Sequence, residues 1–257
     1  LYHRRQRQMC IRDRFKDAIK AFLNDECTPE SIRSGWASKQ SFNQNRWKGL
    51  ADLGVLGSNL SEDSGGLGMD QVALVLMVEE MGYAGLPEPA AEQTFLINDL
   101  LHMLPPKTQE SIQEHHVSGT SYISVAHPLA PNPLFLKESA GLLIFEEDSY
   151  KFVLTSDVEF EEVVSNDPSR ELGRIISIKN SISSSENFEL LNAAVSSRGA
   201  LMTAALLIGL SQKMIDLSSA YALDRTQFGK PIGSFQAVKH MLADVAVAIE
   251  FARPAIY

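Results

Sequence analysis

Cysteine is scarce, with only Cys10 and Cys27 in 257 residues. Two thiols make no disulfide framework, and no histidine stands at metal-ligand spacing from either. A reducing, cytoplasmic compartment and no metal site are the expectations. His115-His116 and His240 also lack companions at ligand spacing. Long hydrophobic runs are missing. The longest uncharged apolar run, Gly199 to Leu210, is too short to span a bilayer. No apolar segment follows a basic start, as a signal peptide requires. Positive charge is outnumbered, 23 Lys and Arg against 32 Asp and Glu, for a formal charge of −9. That balance argues against nucleic acid as a partner. Tryptophan does not recur after Trp47, and there are no internal repeats or low-complexity tracts.

The first fourteen residues, "LYHRRQRQMCIRDR", break the charge pattern with five Arg and one acidic residue. A basic nucleic-acid arm conflicts with the acidic body. A presequence would carry Ser and an amphipathic rhythm. "MCIRDR" back-translates to a sequence that resembles the transposon end used to build sequencing libraries. Residues 1–14 are therefore expected to be non-native and to pack against nothing.

From residue 15 to about 119 the pattern is helical. Phe15, Ile19, Phe22 and Leu23 share one face. Thr28-Pro29 is an N-cap followed by the residue best suited to the first helical position. "SFNQNRWKGLADLG" is a short helix closed by Gly54. "MDQVALVLMVEEMGYAG" is apolar nearly all round, which predicts a buried helix. In it Glu79 and Glu80 point about 100° apart, so ion pairing rather than acid–base work is expected of them. "SGGLGM" lacks the strand before it and the Lys-Ser/Thr after it that a phosphate loop needs, and reads as a turn. From about 120 to 184, "SYISVA", "GLLIFEE", "YKFVLTS", "VEFEEVV" and "GRIISIK" are short β-branched or aromatic runs separated by turn residues. They predict a small antiparallel β domain. Helix returns near Glu186, with Ser183 and Glu186 at capping-box spacing, and runs to Asp224. A second helix follows Ser234 as N-cap. Its apolar residues Phe235, Val238, Leu242, Val245, Ile249, Ala252 and Ile256 alternate by three and four, the seam of an antiparallel pair. The fold class is thus α+β: an N-terminal helical domain (15–119), a middle β domain (120–184) and a C-terminal helical bundle (185–257) that reads as truncated.

Between the last two helices lies "YALDRTQFGKPIGSFQAVKHMLAD", Tyr221 to Asp244. A turn explains the Gly and Pro residues but not the Arg, Phe and Gln among them. Taken singly, these are a solvated charge near a helix C-terminus, a core staple and an exposed amide. Together they match, nearly without exception, the motif "YAxxRxQFGxPIxxFQxxxHxLAD", so the chain resembles the acyl-CoA dehydrogenase family. "WKGLADLGVLGSNLSEDSGGLGMD" (Trp47 to Asp70) resembles a second, weaker motif, and the resemblance covers 15–257 in order. It implies an FAD-dependent oxidoreductase of lipid and fatty acid metabolism. Such an enzyme introduces a 2,3 double bond into an acyl-CoA by α-proton abstraction and β-hydride transfer to flavin, with an electron-transfer flavoprotein-like acceptor. It further implies a homo- or hetero-oligomer in which Arg225 contacts the pyrophosphate of a neighbour's FAD, Phe228 packs on that cofactor and Gln236 hydrogen-bonds it. A guanidinium fork suits phosphate oxygens.

The sequence departs from the family in two places. The family's flavin-lining "YxxTEPxxGSD" reads here "YISVAHPLAPNPLF", and the later "WITN" has no counterpart. "DPSRELGRI" resembles the end of the abbreviated β domain in members that serve as half of a heteromeric enzyme. The alternative implied is a non-catalytic or half-site subunit that lends FAD contacts to its partner. Counting back 26 residues from Arg225, where a minority of members hold the catalytic Glu, gives Gly199. No catalytic base can be named.

Overall fold

The computed structural model describes residues 2–102, 104–116 and 119–257, with the backbone alone for 2–13, 99, 111 and 113–116. Except for Arg14, the side chains of the presumed non-native head lie outside the described residues, as do those of His115 and His116.

Helix α1 (Tyr2–Glu26) leads into α2 (Pro29–Ser38), where Thr28 Oγ1 accepts from Ser31 N at 3.2 Å. α3 (Gln44–Asp52) follows, capped by Asn43, and Gly54 leaves it at φ 78°. The "SGGLGM" stretch is a turn, with positive φ at Gly65 and Gly68, and Asp70 caps α4 (Gln71–Ala84). α4 is buried on nearly every face, as its composition predicts. Glu79 and Glu80 are both buried and diverge. Glu79 pairs with Arg253 and accepts from Tyr257 Oη at 2.5 Å, and Glu80 meets Lys16 at 3.2 Å. α5 (Ala90–Glu92) passes through a π-helical stretch, Gln93–Asn98, into α6 (Asp99–Leu101). Two amides pin this stretch: Gln93 Oε1 accepts from Ile123 N at 3.1 Å, and Asn98 Nδ2 donates to Leu56 O at 2.8 Å. α7 (Pro106–His116) ends the helical block.

Strands β1 (Ile123–Ala126), β2 (Gly141–Phe145), β3 (Tyr150–Leu154) and β6 (Ile182–Ser184) form one sheet in that spatial order. β4 (Val158–Val163) and β5 (Leu172–Ile178) form a separate hairpin. All of these pairs are antiparallel except β1 with β2, which run parallel with Ile123 opposite Gly141. The purely antiparallel expectation fails at this pair for a physical reason. The Pro-rich segment 127–140 is long enough to carry the chain back to the start of the sheet, as a parallel pair requires.

Helix α8 (Phe188–Asp224) begins after Asn187, which sits in the left-handed region without a side-chain cap. The expected Ser183–Glu186 capping box does not form. Ser183 pairs with Lys151 in β6, and Glu186 N donates to Ser184 Oγ at 3.0 Å. By length and composition α8 could cross a membrane. The count of uncharged runs missed this because Arg198 and Lys213 bound the run without making the helix polar. Its apolar and small residues have a use inside the fold, where α8 lies antiparallel on α4. A Cβ on Gly82 would sit 2.2 Å from Leu206 O, and one on Gly209 would sit 1.9 Å from Glu79 O. The two backbones touch because neither position carries a side chain. α9 (Gln236–Ala252) completes the hairpin. Its N-cap is Phe235, not Ser234, because 232–234 form a 3-10 turn. Along the expected seam, Ile249 and Ile256 are buried, Phe235, Val238 and Leu242 are half-buried, and Val245 and Ala252 are exposed.

The helical block and the sheet meet at Phe42, Trp47, Tyr122 and Phe135, whose rings lie 5.5–5.6 Å apart. Trp47 Nε1 donates to Ser121 O at 3.3 Å, and the Tyr122 hydroxyl donates to Phe135 O. Burial holds that phenol well above its usual pKa. Below this joint Arg46 and Glu88 form a buried bidentate pair, both bonds 2.7 Å. Nearby, burial pushes the Cys27 thiol up to about 12. Thiolate is the reactive form. Native protein is therefore expected to resist iodoacetamide at Cys27 at pH 8, with labelling appearing only in denaturant. Rapid labelling of the folded chain at Cys27, located by peptide mass mapping, would contradict this placement.

Candidate functional site

Two places in the fold carry chemistry, and they lie far apart. The first is the turn after α8. Arg225 is the C-cap residue; its N–H bonds Tyr221 O and its carbonyl accepts from Ile232 N, both at 2.8 Å. β7 (Thr226–Gln227) and β8 (Lys230–Pro231) form a two-rung ribbon with Phe228 and Gly229 at its tip, at φ 54° and 76°. Both tip residues are left-handed, as a tight primed hairpin turn demands. Gly233 lets the returning chain approach α8, since a Cβ there would meet Ala222 O at 2.9 Å. Arg225, Phe228 and Gln236 are all exposed. Among the described residues, neither the guanidinium nor the Gln236 amide has a hydrogen-bond or ion-pair partner.

Phe228 is doubly unfavourable. It holds a backbone conformation that costs a non-glycine residue roughly 1–2 kcal/mol, and the residue is 92% exposed. Edge-on contact with Phe235, centroids 6.1 Å apart, is its recorded ring contact. Such strain without compensating burial points to a role outside the chain. Phe228→Asn is expected to stabilise the isolated chain by about 1 kcal/mol, since Asn tolerates this region better. Urea unfolding checks it, and a loss of stability would show that the ring contributes to the chain's own fold.

The second place is a cavity of about 720 Å³ between α5 with its π-helical continuation, β1 with its following loop, the 165–172 segment and α8. Its walls are mainly apolar, including Leu96, Ile123, Leu134, Val195 and Leu207, and its size suits a small-molecule ligand. His127 is part of the lining. Leu129 N donates to its Nδ1 at 3.2 Å, which leaves the proton on Nε2 facing Asn192 Oδ1 at 2.8 Å. Arg170 enters from the segment before β5 and pairs with Glu92 of α5. That segment is held by Trp36 Nε1 to Ser169 Oγ (2.5 Å), Ser41 Oγ to Pro168 O (2.8 Å) and Ser41 N to Glu171 Oε1 (3.0 Å). Gly199 lines the cavity, and a Cβ there would meet nothing closer than Leu96 Cδ2 at 3.9 Å. Space for a side chain exists at the position where a minority of the resembled family hold the base, and no carboxylate fills it.

An FAD demands cationic donors for its pyrophosphate and a flat apolar surface for its rings. The turn fits that demand, with a guanidinium, an aromatic ring and an amide presented together. The cavity lining alone does not. It offers one guanidinium, already paired with Glu92, and adds the carboxylate of Asp167. Arg225 is not part of the cavity lining, and it lies roughly 27 Å along α8 from Leu207, at ~1.5 Å per residue. Among the described residues no cluster could hold a metal ion. The sequence reading missed Glu92, His127 and Arg170. The neighbourhood itself was marked by "YISVAHPLAPNPLF", by "DPSR" and by Gly199, all of which contribute to the lining.

Residues 12–106 match the family model for the acyl-CoA dehydrogenase N-terminal domain, and residues 193–257 match that for the C-terminal domain. The acyl-CoA dehydrogenase IpdE2 of Mycobacterium tuberculosis is 27% identical over 248 residues, covering 95% of this chain and 74% of the relative. IpdE2 of Mycolicibacterium smegmatis is 26% identical, covering 96% and 75%. In fold, the chain is similar to the Tcur3481-Tcur3483 steroid ACAD, with a TM-score of 0.82 at 19% identity over 97% of this chain and 76% of that one. It is also similar to the ChsE4-ChsE5 complex of Mycobacterium tuberculosis, with a TM-score of 0.81 at 19% identity over 93% and 74%.

Proposed function

Because the chain belongs to the acyl-CoA dehydrogenase family, we propose that it works within an FAD-dependent enzyme that introduces a 2,3 double bond into an acyl-CoA thioester. One observation carries the reading: Arg225, Phe228 and Gln236 stand exposed on a tight turn, outside the lining of the chain's own cavity. They are aimed at a neighbouring subunit. A bound FAD would supply the hydride acceptor for the β-hydrogen, with an electron-transfer flavoprotein-like protein as the onward electron acceptor. The residues of this chain bind and orient. The Arg225 fork donates charge-assisted bonds to pyrophosphate oxygens. Phe228 covers an apolar part of the cofactor and keeps water from it, and Gln236 offers an amide donor and acceptor. The cavity takes the acyl group, in a cytoplasmic enzyme. Oligomerisation is supported by the apolar side chains that α8 and α9 leave exposed, among them Leu217, Tyr221, Leu223, Met241 and Phe251.

A second reading, that of a half-site subunit lending FAD contacts to a complementary chain, is favoured by the cavity itself. Its lining does not neutralise a pyrophosphate, and Gly199 leaves the base position bare. Flavin content separates the two. The protein alone and the protein co-expressed with a complementary subunit are purified, and flavin absorbance and its bleaching by an acyl-CoA are recorded. Bleachable flavin with the chain alone supports the first reading. Flavin only in the mixed complex supports the second. Neither preparation holding flavin would overturn both.

A further inference from the structure

The Glu92–Arg170 pair is only half used by the fold. Among the described residues, Glu92 is the one partner of the Arg170 guanidinium, which has five N–H donors. Glu92 Oε2 is buried with no hydrogen-bond partner. Both side chains are mostly buried, at 26% and 16% exposure, in the wall of a cavity that is otherwise mainly apolar. Buried polar groups in folded proteins are normally satisfied, and an exception calls for a reason. The segment carrying Arg170 is also anchored from outside the cavity, through Ser169 and Pro168, by Trp36 and Ser41.

We propose that Arg170, held by Glu92, is a specificity-determining contact that recognises a neutral oxygen, a ketone or hydroxyl, on the acyl body of the substrate, away from the thioester. The unspent guanidinium donors supply bonds to an acceptor oxygen, and the apolar walls take the carbon skeleton around it. Charge selects the neutral form. Glu92 neutralises Arg170, and Asp167 adds a carboxylate to the lining, so a carboxylated acyl group meets no net positive charge. The inference rests on the dehydrogenase reading for the thioester and goes beyond it for the acyl body.

Three thioesters test it: 4-(4-oxocyclohexyl)butanoyl-CoA, its deoxy counterpart 4-cyclohexylbutanoyl-CoA, and 4-(4-carboxycyclohexyl)butanoyl-CoA. Equilibrium binding to the full chain is read by tryptophan fluorescence, because Trp36 bonds Ser169 beside Arg170. Turnover by the flavin-loaded assembly is read as kcat/KM. The oxo thioester is expected to bind roughly 10- to 100-fold more tightly than the deoxy one, since a site built for an oxygen is left unpaired without it. The same ratio is expected in kcat/KM, with the carboxylated thioester no better than the deoxy one. Arg170→Met should bring the oxo/deoxy ratio to near one, and Arg170→Lys should restore part of it. A paired Glu92→Gln, Arg170→Gln variant covers the case in which the single change fails to fold, and it too should lose the ratio. Equal binding of oxo and deoxy thioesters by the native chain overturns the proposal, as does a preference for the carboxylated thioester. So does a folded Arg170 variant with its ratio intact, because a merely structural arginine would lower both substrates together. Absence of turnover with the binding ratio present overturns the dehydrogenase reading and leaves this one standing.

Discussion

Arg225→Ala is expected to weaken the hold of the assembled enzyme on FAD by roughly 10- to 100-fold, while leaving the isolated chain as stable as before. A hydrogen bond to a charged group contributes about 1.5–3 kcal/mol, and each ~1.4 kcal/mol is tenfold in affinity. Water replaces part of the loss when the guanidinium is removed, which keeps the effect below the sum of two full bonds. Stability should not change, because the backbone bonds of Arg225 to Tyr221 and Ile232 survive the substitution. Flavin release on dilution, followed by fluorescence, measures the first quantity, and thermal unfolding of the chain alone measures the second. An unfolding midpoint that falls with retention unchanged would make Arg225 a structural cap.

Gly209→Ala is expected to destabilise the chain by about 3 kcal/mol or more, the upper range for forcing atoms into a packed interface. The new Cβ would stand 1.9 Å from Glu79 O, a backbone atom that cannot rotate aside. α4 and α8 must then separate along their whole contact, which also disturbs the Glu79–Arg253 pair. Gly199→Ala on the same helix is the control. Its Cβ meets only Leu96 Cδ2, at 3.9 Å, and replacing a helical glycine gains up to about 1 kcal/mol. The two substitutions are identical in chemistry and opposite in expected sign. Urea midpoints of the pair decide whether close backbone approach, rather than helix propensity, governs this glycine.

That contrast marks what the sequence could and could not tell. The cap of α2, the all-round burial of α4 and the strands β1 to β5 were legible because local periodicity and turn chemistry determine them. Partners were not legible. Alternation shows that Ile123 to Ala126 is a strand, but not that it runs parallel to Gly141–Phe145, because register and direction are set by chain reversal elsewhere. Nothing local to Gly82 or Gly209 signals that the two backbones meet there. The turn from Arg225 to Gln236 was legible as a motif because its residues are close in sequence. The Glu92–Arg170 pair was not, because its two residues are 78 positions apart and meet only through packing.

The central claim is that the turn faces a cofactor held by another subunit. Its most direct test places the photoreactive residue p-benzoylphenylalanine at position 228 of the assembled, flavin-loaded enzyme. Irradiation is followed by mass mapping of the adducts. The account predicts crosslinks to FAD or to the partner subunit beside it, reduced when FAD is stripped. Crosslinks confined to the same chain, unchanged by removal of the flavin, would contradict it.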